Sequence, residues 1–241
     1  MIFVTVNHDF IAQNVQKERT IMRYEVNVNA IRNPEGSLRG FASVVFEDCM
    51  KVGNIAIIEN KDGELFVSMP RYASATEETG YKDICNPITK EFRDELFATI
   101  LDTFAEHLER GTKKTVIGGK EAGELDFKVS VTPFEKDGSN IRGLARIFIE
   151  DRFVIGNVSL LEGKNGLFVA MPSYKTKQTD KEGKSVYQDV CYPITKEFRE
   201  KLFDTLKAAY EQAKEQKKEE AKGFVSNDAR GQMPEMDTPL R

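Results

Sequence analysis

Residues 47–70 read EDCMKVGNIAIIENKDGELFVSMP, and residues 150–172 read EDRFVIGNVSLLEGKNGLFVAMP. Glu47-Asp48 answers Glu150-Asp151, Gly53-Asn54 answers Gly156-Asn157, and Met69-Pro70 answers Met171-Pro172. The first copy carries one extra residue, most simply Glu64, in the turn before Leu65. The match resumes with YKDICNPITKEFRDELF at 81–97 against YQDVCYPITKEFREKLF at 187–203. A repeat this long decides the domain count before any other reading. Its unit of roughly 90 residues is far above the 20–50 of solenoid repeats, so each copy is a domain-sized module.

Working outward, each copy shows the same order of elements. Tyr24–Ile31 alternates apolar with polar residues, the period of a half-buried strand. Asn33-Pro34-Glu35-Gly36 is a turn, and Gly40–Phe46 is the next strand. Asp48–Ile58 continues extended, Lys61-Asp62-Gly63 turns the chain, and Leu65–Met69 is a short strand stopped by Pro70. A polar loop follows at 71–80, then a last short strand at Tyr81–Cys85. Thr89 is a good N-cap for a helix whose Phe92, Leu96, Phe97, Ile100, Leu101 and Phe104 keep 3/4 spacing, and Gly111 ends it. Copy two repeats this with Phe127–Val131, Gly143–Ile149, Arg152–Leu161 and Leu167–Met171, then a helix from Thr195 through Phe198, Leu202, Phe203, Leu206 and Tyr210. The fold class expected is α+β, two tandem modules that each place one amphipathic helix on a small antiparallel sheet.

The expected organisation is an N-terminal extension (1–22), module 1 (23–111), a polar linker with three glycines (112–125), module 2 with a charged helix extension (126–222) and a disordered tail (223–241). Within the extension, Ile2–Val6 has the composition of a short added strand, and Met22 is an alternative start.

The string GKNGLFVAMPS at 163–173, the aspartates Asp83 and Asp189 after a strand, and the Pro-Ile before an amphipathic helix resemble the SpoVG family (stage V sporulation protein G, septation protein). RYEVNVNAIRNPEGSLRGFASVVFEDC at 23–49 looks like that family's amino terminus. The resemblance spans nearly all of 23–109 and 126–212. It implies a homodimeric parent, so a tandem chain would supply both halves as a pseudo-twofold dimer. It also implies a DNA- and RNA-binding regulator tied to sporulation and septation control, using basic residues after Met-Pro.

Composition narrows the rest. Residues 23–110 carry 10 Lys and Arg against 16 Asp and Glu, a net of −6, while residues 126–222 carry 18 against 16, a net of +2. The second copy is thus the better match for a polyanion. Cys49, Cys85 and Cys191 show neither a CxxC nor a Cys/His spacing, which points to buried thiols in a reducing cytoplasm, with no disulfide framework and no metal or cofactor. No apolar run approaches the ~18 residues of a membrane span, and no signal peptide opens the chain, so a cytoplasmic place is expected.

Catalysis is not expected. His8 and His107 have no equivalents in the other copy, and no GxSxG, HExxH, Walker or GxGxxG string occurs. The repeated aspartates Asp48/Asp151 and Asp83/Asp189 read as strand-end turn residues. Binding centres on the loop after Met-Pro: Tyr174, Lys175, Lys177, Lys181 and Lys184 in copy two, Arg71, Tyr72 and Lys82 in copy one. Lysines there can neutralise phosphates and the tyrosines can stack on bases. Copy two has Tyr174 where the family pattern has arginine, and Gln188 stands at the loop's far end. The alternative is a non-catalytic protein-interaction module facing a division or regulatory partner, with no nucleic acid bound.

Overall fold

The computed structural model describes residues 22–74, 78 and 80–228. Ile2–Val6, His8 and residues 229–241 lie outside the described residues, so the expectations placed on them are not taken further.

Module 1 opens with a meander of β1 (Tyr24–Ala30), β2 (Leu38–Phe46), β3 (Met50–Glu59) and β4 (Leu65–Ser68). Alternation drives it: Tyr24, Val26 and Val28 point inward from β1, and Ala42, Val44 and Phe46 from β2, all buried. The repeated Glu47-Asp48 and Glu150-Asp151 are tight turns. All four residues have positive φ, between 42° and 51°. Cys49 N–H closes the first turn on Phe46 C=O at 3.0 Å, and Arg152 N–H closes the second on Ile149 C=O at 2.9 Å.

After β4 the chain does not form the loop that its polar composition suggests. Arg71–Ala73 (β5) and Tyr81–Asp83 (β6) pair as a hairpin arm. Tyr81–Cys85 is therefore not one strand. It breaks at Ile84, and Cys85–Pro87 (β7) leaves its own module. Helix α1 (Lys90–Arg110) follows, with Thr89 Oγ1 accepting from Phe92 N–H at 3.3 Å and Gly111 in the left-handed cap at φ 75°. Of the expected stripe, Phe92, Leu96, Ile100 and Phe104 are buried, while Phe97 and Leu101 are only half-buried; Thr103 is buried instead. The buried face is rotated toward 92-96-100-103-104, away from the 97/101 row.

The expected linker is not free. Lys114–Ile117 (β8) pairs antiparallel with the outer edge of β1, and the rest is tied down where the Glu47 carboxylate accepts from Gly123 N–H and Arg23 N–H, both at 2.6 Å. Thr115-Val116-Ile117 supply the β-branched run that such an edge strand favours.

Module 2 repeats the meander with β9 (Phe127–Pro133), β10 (Ile141–Ile149), β11 (Phe153–Gly163) and β12 (Gly166–Ala170). It continues with an arm of β13 (Ser173–Thr179) and β14 (Ser185–Asp189), then β15 (Cys191–Pro193) and α2 (Lys196–Asp228). Phe198, Leu202, Leu206 and Tyr210 are buried, whereas Phe203 is half-buried. Helix α2 runs to Asp228, past residue 222, so residues 223–228 are helical and do not belong to a disordered tail. Among the described residues no strand covers the outer edge of β9 as β8 covers β1. Phe127, Val129 and Val131 are accordingly half-buried where their equivalents Tyr24, Val26 and Val28 are closed off.

The modules are joined by reciprocal strand exchange. Strand β7 of module 1 pairs with β11 of module 2, and β15 of module 2 pairs with β3 of module 1. The repeated Gly-Asn explains how. In each copy it makes a β-bulge, with Asn54 at φ 58° and Asn157 at φ 56°, a conformation asparagine tolerates. The bulge frees one N–H on the strand edge. Gly53 N–H donates to Val190 C=O and Gly156 N–H to Ile84 C=O, each at 2.7 Å, and these acceptors immediately precede the exchanged strands. Beyond the strands, Ile88 N–H donates to Arg152 C=O and Ile194 N–H to Cys49 C=O, at 2.7 and 2.8 Å. One hydrophobic core results, with Phe46 and Phe153 meeting across the junction at 5.2 Å between ring centroids. Two large antiparallel sheets, each with a hairpin arm and a helix, and mutual exchange make the α+β pseudo-twofold dimer within one chain.

Candidate nucleic-acid interface

The two arms carry every side chain that the sequence singles out for binding. In the first, Arg71 pairs with Asp83, Tyr72 with Lys82 and Ala73 with Tyr81. The Arg71 guanidinium lies over the Tyr81 ring, 4.9 Å from its centroid, a cation–π contact on an exposed surface. In the second arm Tyr174 pairs with Gln188 and Lys175 with Tyr187, and Tyr174 OH donates to Gln188 Oε1 at 2.9 Å. Lys177 lies on β13. Lys181 and Lys184 belong to the tip, where Asp180 Oδ1 accepts from the N–H groups of Glu182 and Lys184 at 2.9 and 2.8 Å. Lys184 Nζ also reaches Glu182 at 2.5 Å, so this lysine is already paired. Tyr174 is half-buried against the core, which leaves Tyr187 as the more open ring of this arm.

Strand exchange adds a feature that the sequence does not announce. Because β7 crosses to module 2, the first arm is carried over the outer face of module 2's sheet. A cleft of about 1030 Å³ opens between them. Arg71, Tyr72, Tyr81, Lys82 and Asp83 line it from the arm, and Arg146 lines it from β10. Arg146 is exposed and has no ion pair among the described residues. It escaped the sequence reading because its outward place on β10, between Leu144 and Phe148, is that of any solvated strand residue. Burial raises the Asp83 carboxyl above its ordinary value, against the pull of Arg71 and Arg93.

The other candidate groups are structural. Asp48 pairs with Arg23, and Asp151 accepts from Lys128 Nζ at 2.6 Å, so the repeated acidic turns are tied to strand cations. His107 is half-buried, with Nδ1 enclosed and unpartnered among the described residues; it is not the surface residue its place near the helix end suggests. Cys85 and Cys191 are fully buried beside one another on the two exchanged strands, and burial, with Cys85 next to it, pushes the Cys191 thiol well up. Burial also pushes the Cys49 thiol up to about 12, with Glu47 and Asp48 adding to it. The Cys49 and Cys191 thiols are therefore poor nucleophiles and poor metal ligands at neutral pH. Among the described residues no group of three or more His, Cys, Asp or Glu is placed to hold a metal, and no helix is long and apolar enough to cross a membrane.

The SpoVG family model matches twice, over residues 21–106 and 126–212. The chain belongs to the SpoVG family. Among its relatives, a protein of Treponema denticola named "Putative septation protein SpoVG" is 33% identical over 98 residues, 41% of this chain and 94% of the relative. One of the same name from Lachnospira eligens is 36% identical over 85 residues, 35% of this chain and 89% of the relative. Each relative is thus about one module long, and this SpoVG-family chain carries two.

Proposed function

We propose that this tandem SpoVG protein is a non-catalytic, cytoplasmic regulator that binds DNA or RNA through its arms, mainly by phosphate contacts. The observation that carries the reading is the stacking of Arg71 on the exposed Tyr81 of an arm that also bears Lys82 and Tyr72. A cation beside an exposed aromatic ring is the pairing that single-stranded and phosphate-rich ligands use. Lys175, Lys177 and Lys181 on the second arm add positive charge without the planar fork of arginine, so weakly sequence-selective binding is expected. The test is a gel shift across a salt series. Phosphate contacts make affinity fall steeply with salt, by a log–log slope of about 0.9 per duplex contact. Absence of any shift at low salt would overturn the reading.

A second reading, a protein-interaction module in septation, is favoured by one observation. Phe66 and Phe168 occupy equivalent places on β4 and β12, and both stand exposed, at 44% and 45%. Paired exposed aromatics on a pseudo-twofold body suit a partner of matching apolar surface. It becomes the better account if Phe66→Ser with Phe168→Ser abolishes partner capture while nucleic acid never binds.

A further inference from the structure

The repeat gives each residue that lines the cleft an equivalent in the other half of the molecule, and the two sets differ in charge. The repeat places Ser173 where the first arm has Arg71, Gln188 where it has Lys82, and Ser43 where module 2's sheet has Arg146. All three cations of the cleft are therefore neutral in the other half. The tyrosines are kept as Tyr174 and Tyr187, and the aspartate as Asp189. Lys51, which replaces Val154, is the cation that the counterpart gains in exchange at a lining position. Tyrosines have thus been retained in both halves, whereas the set of two arginines and a lysine stands on one side only.

We propose that the chain has one principal nucleic-acid site, the composite cleft between the first arm and module 2's sheet, and that it takes a single strand. The proposal rests on the nucleic-acid reading above and gives that reading a place, a stoichiometry and a strand state. Neither module holds the site alone. Arg71 and Lys82 come from module 1, and Arg146 from module 2. The strand state follows from shape: a concave cleft of about 1030 Å³ with tyrosines in its wall can take unstacked bases, each of which has a π-face for an aromatic ring. A duplex keeps its base faces stacked inside and offers those rings only its backbone and base edges.

The experiment titrates the full chain with a fluorescent oligothymidylate of about 12 nucleotides and with a duplex of the same length, at low salt. Wild type is expected to bind one strand per chain, with the duplex weaker. Arg71→Ser combined with Arg146→Ser, which installs the residues of the silent half, is expected to weaken binding at least about tenfold and to lower the salt slope by up to about 1.4, at about 0.7 per single-strand contact. Lys175, Lys181 and Lys184 all to alanine, which removes charge from the arm outside the composite cleft, is expected to weaken binding less than the arginine pair does. All replaced residues are exposed, and a thermal melt verifies that each variant is folded. Two strands per chain, a preference for duplex, or a larger loss from the lysine variant than from the arginine variant overturns the composite site while leaving nucleic-acid binding intact. No binding by wild type to either probe removes both readings together.

Discussion

At the residue scale, two glycines show how closely the repeats have been fitted to their own helices. A Cβ on Gly40 would stand 2.6 Å from Asn29 O and 2.7 Å from the Phe104 ring, whereas on Gly143 its nearest neighbour is Tyr210 at 3.1 Å. Gly40→Ala is therefore expected to destabilise by about 1–3 kcal/mol, the usual range for overpacking, and Gly143→Ala by less; chemical denaturation of the two variants measures the difference. Asp83 gives a pH signature. Its carboxyl titrates above the ordinary value because burial outweighs Arg71 and Arg93, so the fold favours the neutral form. The charged form is then a burden at neutral pH that disappears as pH falls through the raised value. Asp83→Asn should raise the melting temperature at about pH 7, and the gain should shrink toward nothing at about pH 3. A gain that is the same at both pH values would contradict this account.

At the scale of elements, the helix stripe and the linker strand each differ from the sequence expectation. Leu96 is fully buried while Phe97 is half-buried, so Leu96→Ala should cost about 2–5 kcal/mol and Phe97→Ala less despite removing the larger side chain. Calorimetry of the pair decides which face is buried. Strand β8 is held by an ion pair of Lys114 Nζ with Glu25 at 2.6 Å. Burial alone would raise the Glu25 carboxyl, but the bonds from Lys114 and Asn27 hold it below its ordinary value. A depressed carboxylate stabilises the fold above its unfolded value and loses that contribution as pH falls through the folded one. Lys114→Ala is expected to lower the amide-exchange protection factors of Thr115–Ile117 near neutral pH, leaving β2 and β3 protected, and lowering the pH to about 3 should lower the same protection factors in wild type. Uniform loosening of the whole sheet would mean that β8 is not a separate unit.

At the scale of the molecule, exchange makes each module incomplete. Residues 22–124 alone would present β7 and the buried Cys85 with no β11 to receive them, and β3 would lack β15. Two such copies can satisfy each other by repeating the exchange between chains. The isolated segment is expected to run as a dimer in light scattering, and a folded monomer would contradict the exchange. One full chain closes the same interactions internally, with the linker fixing the effective concentration of the two halves.

The sequence alone determined the number of modules, the four-strand run and the helix that follows it in each, and the caps at Thr89 and Gly111. These follow from local rules of periodicity and turn chemistry that act within a few residues. It also marked Arg71, Tyr72, Lys82 and the second arm's Tyr174 and lysines as surface groups of interest, because a polar stretch between a Met-Pro stop and a helix has no core to fill. It did not reveal Arg146, the strand in the linker or the rotated helix face. Each depends on which distant surface arrives opposite. Lys114–Ile117 is a strand because β1 has an open edge, and Leu96 outranks Phe97 because of where the sheet lies under the helix. The destination of Cys85–Pro87 belongs to the same class: a three-residue strand has too little local pattern to name its partner, and only the bulge N–H of Gly156 and the shared core fix it to the other module. That crossing sets the first arm over Arg146, so the cleft is a property of the tertiary structure alone.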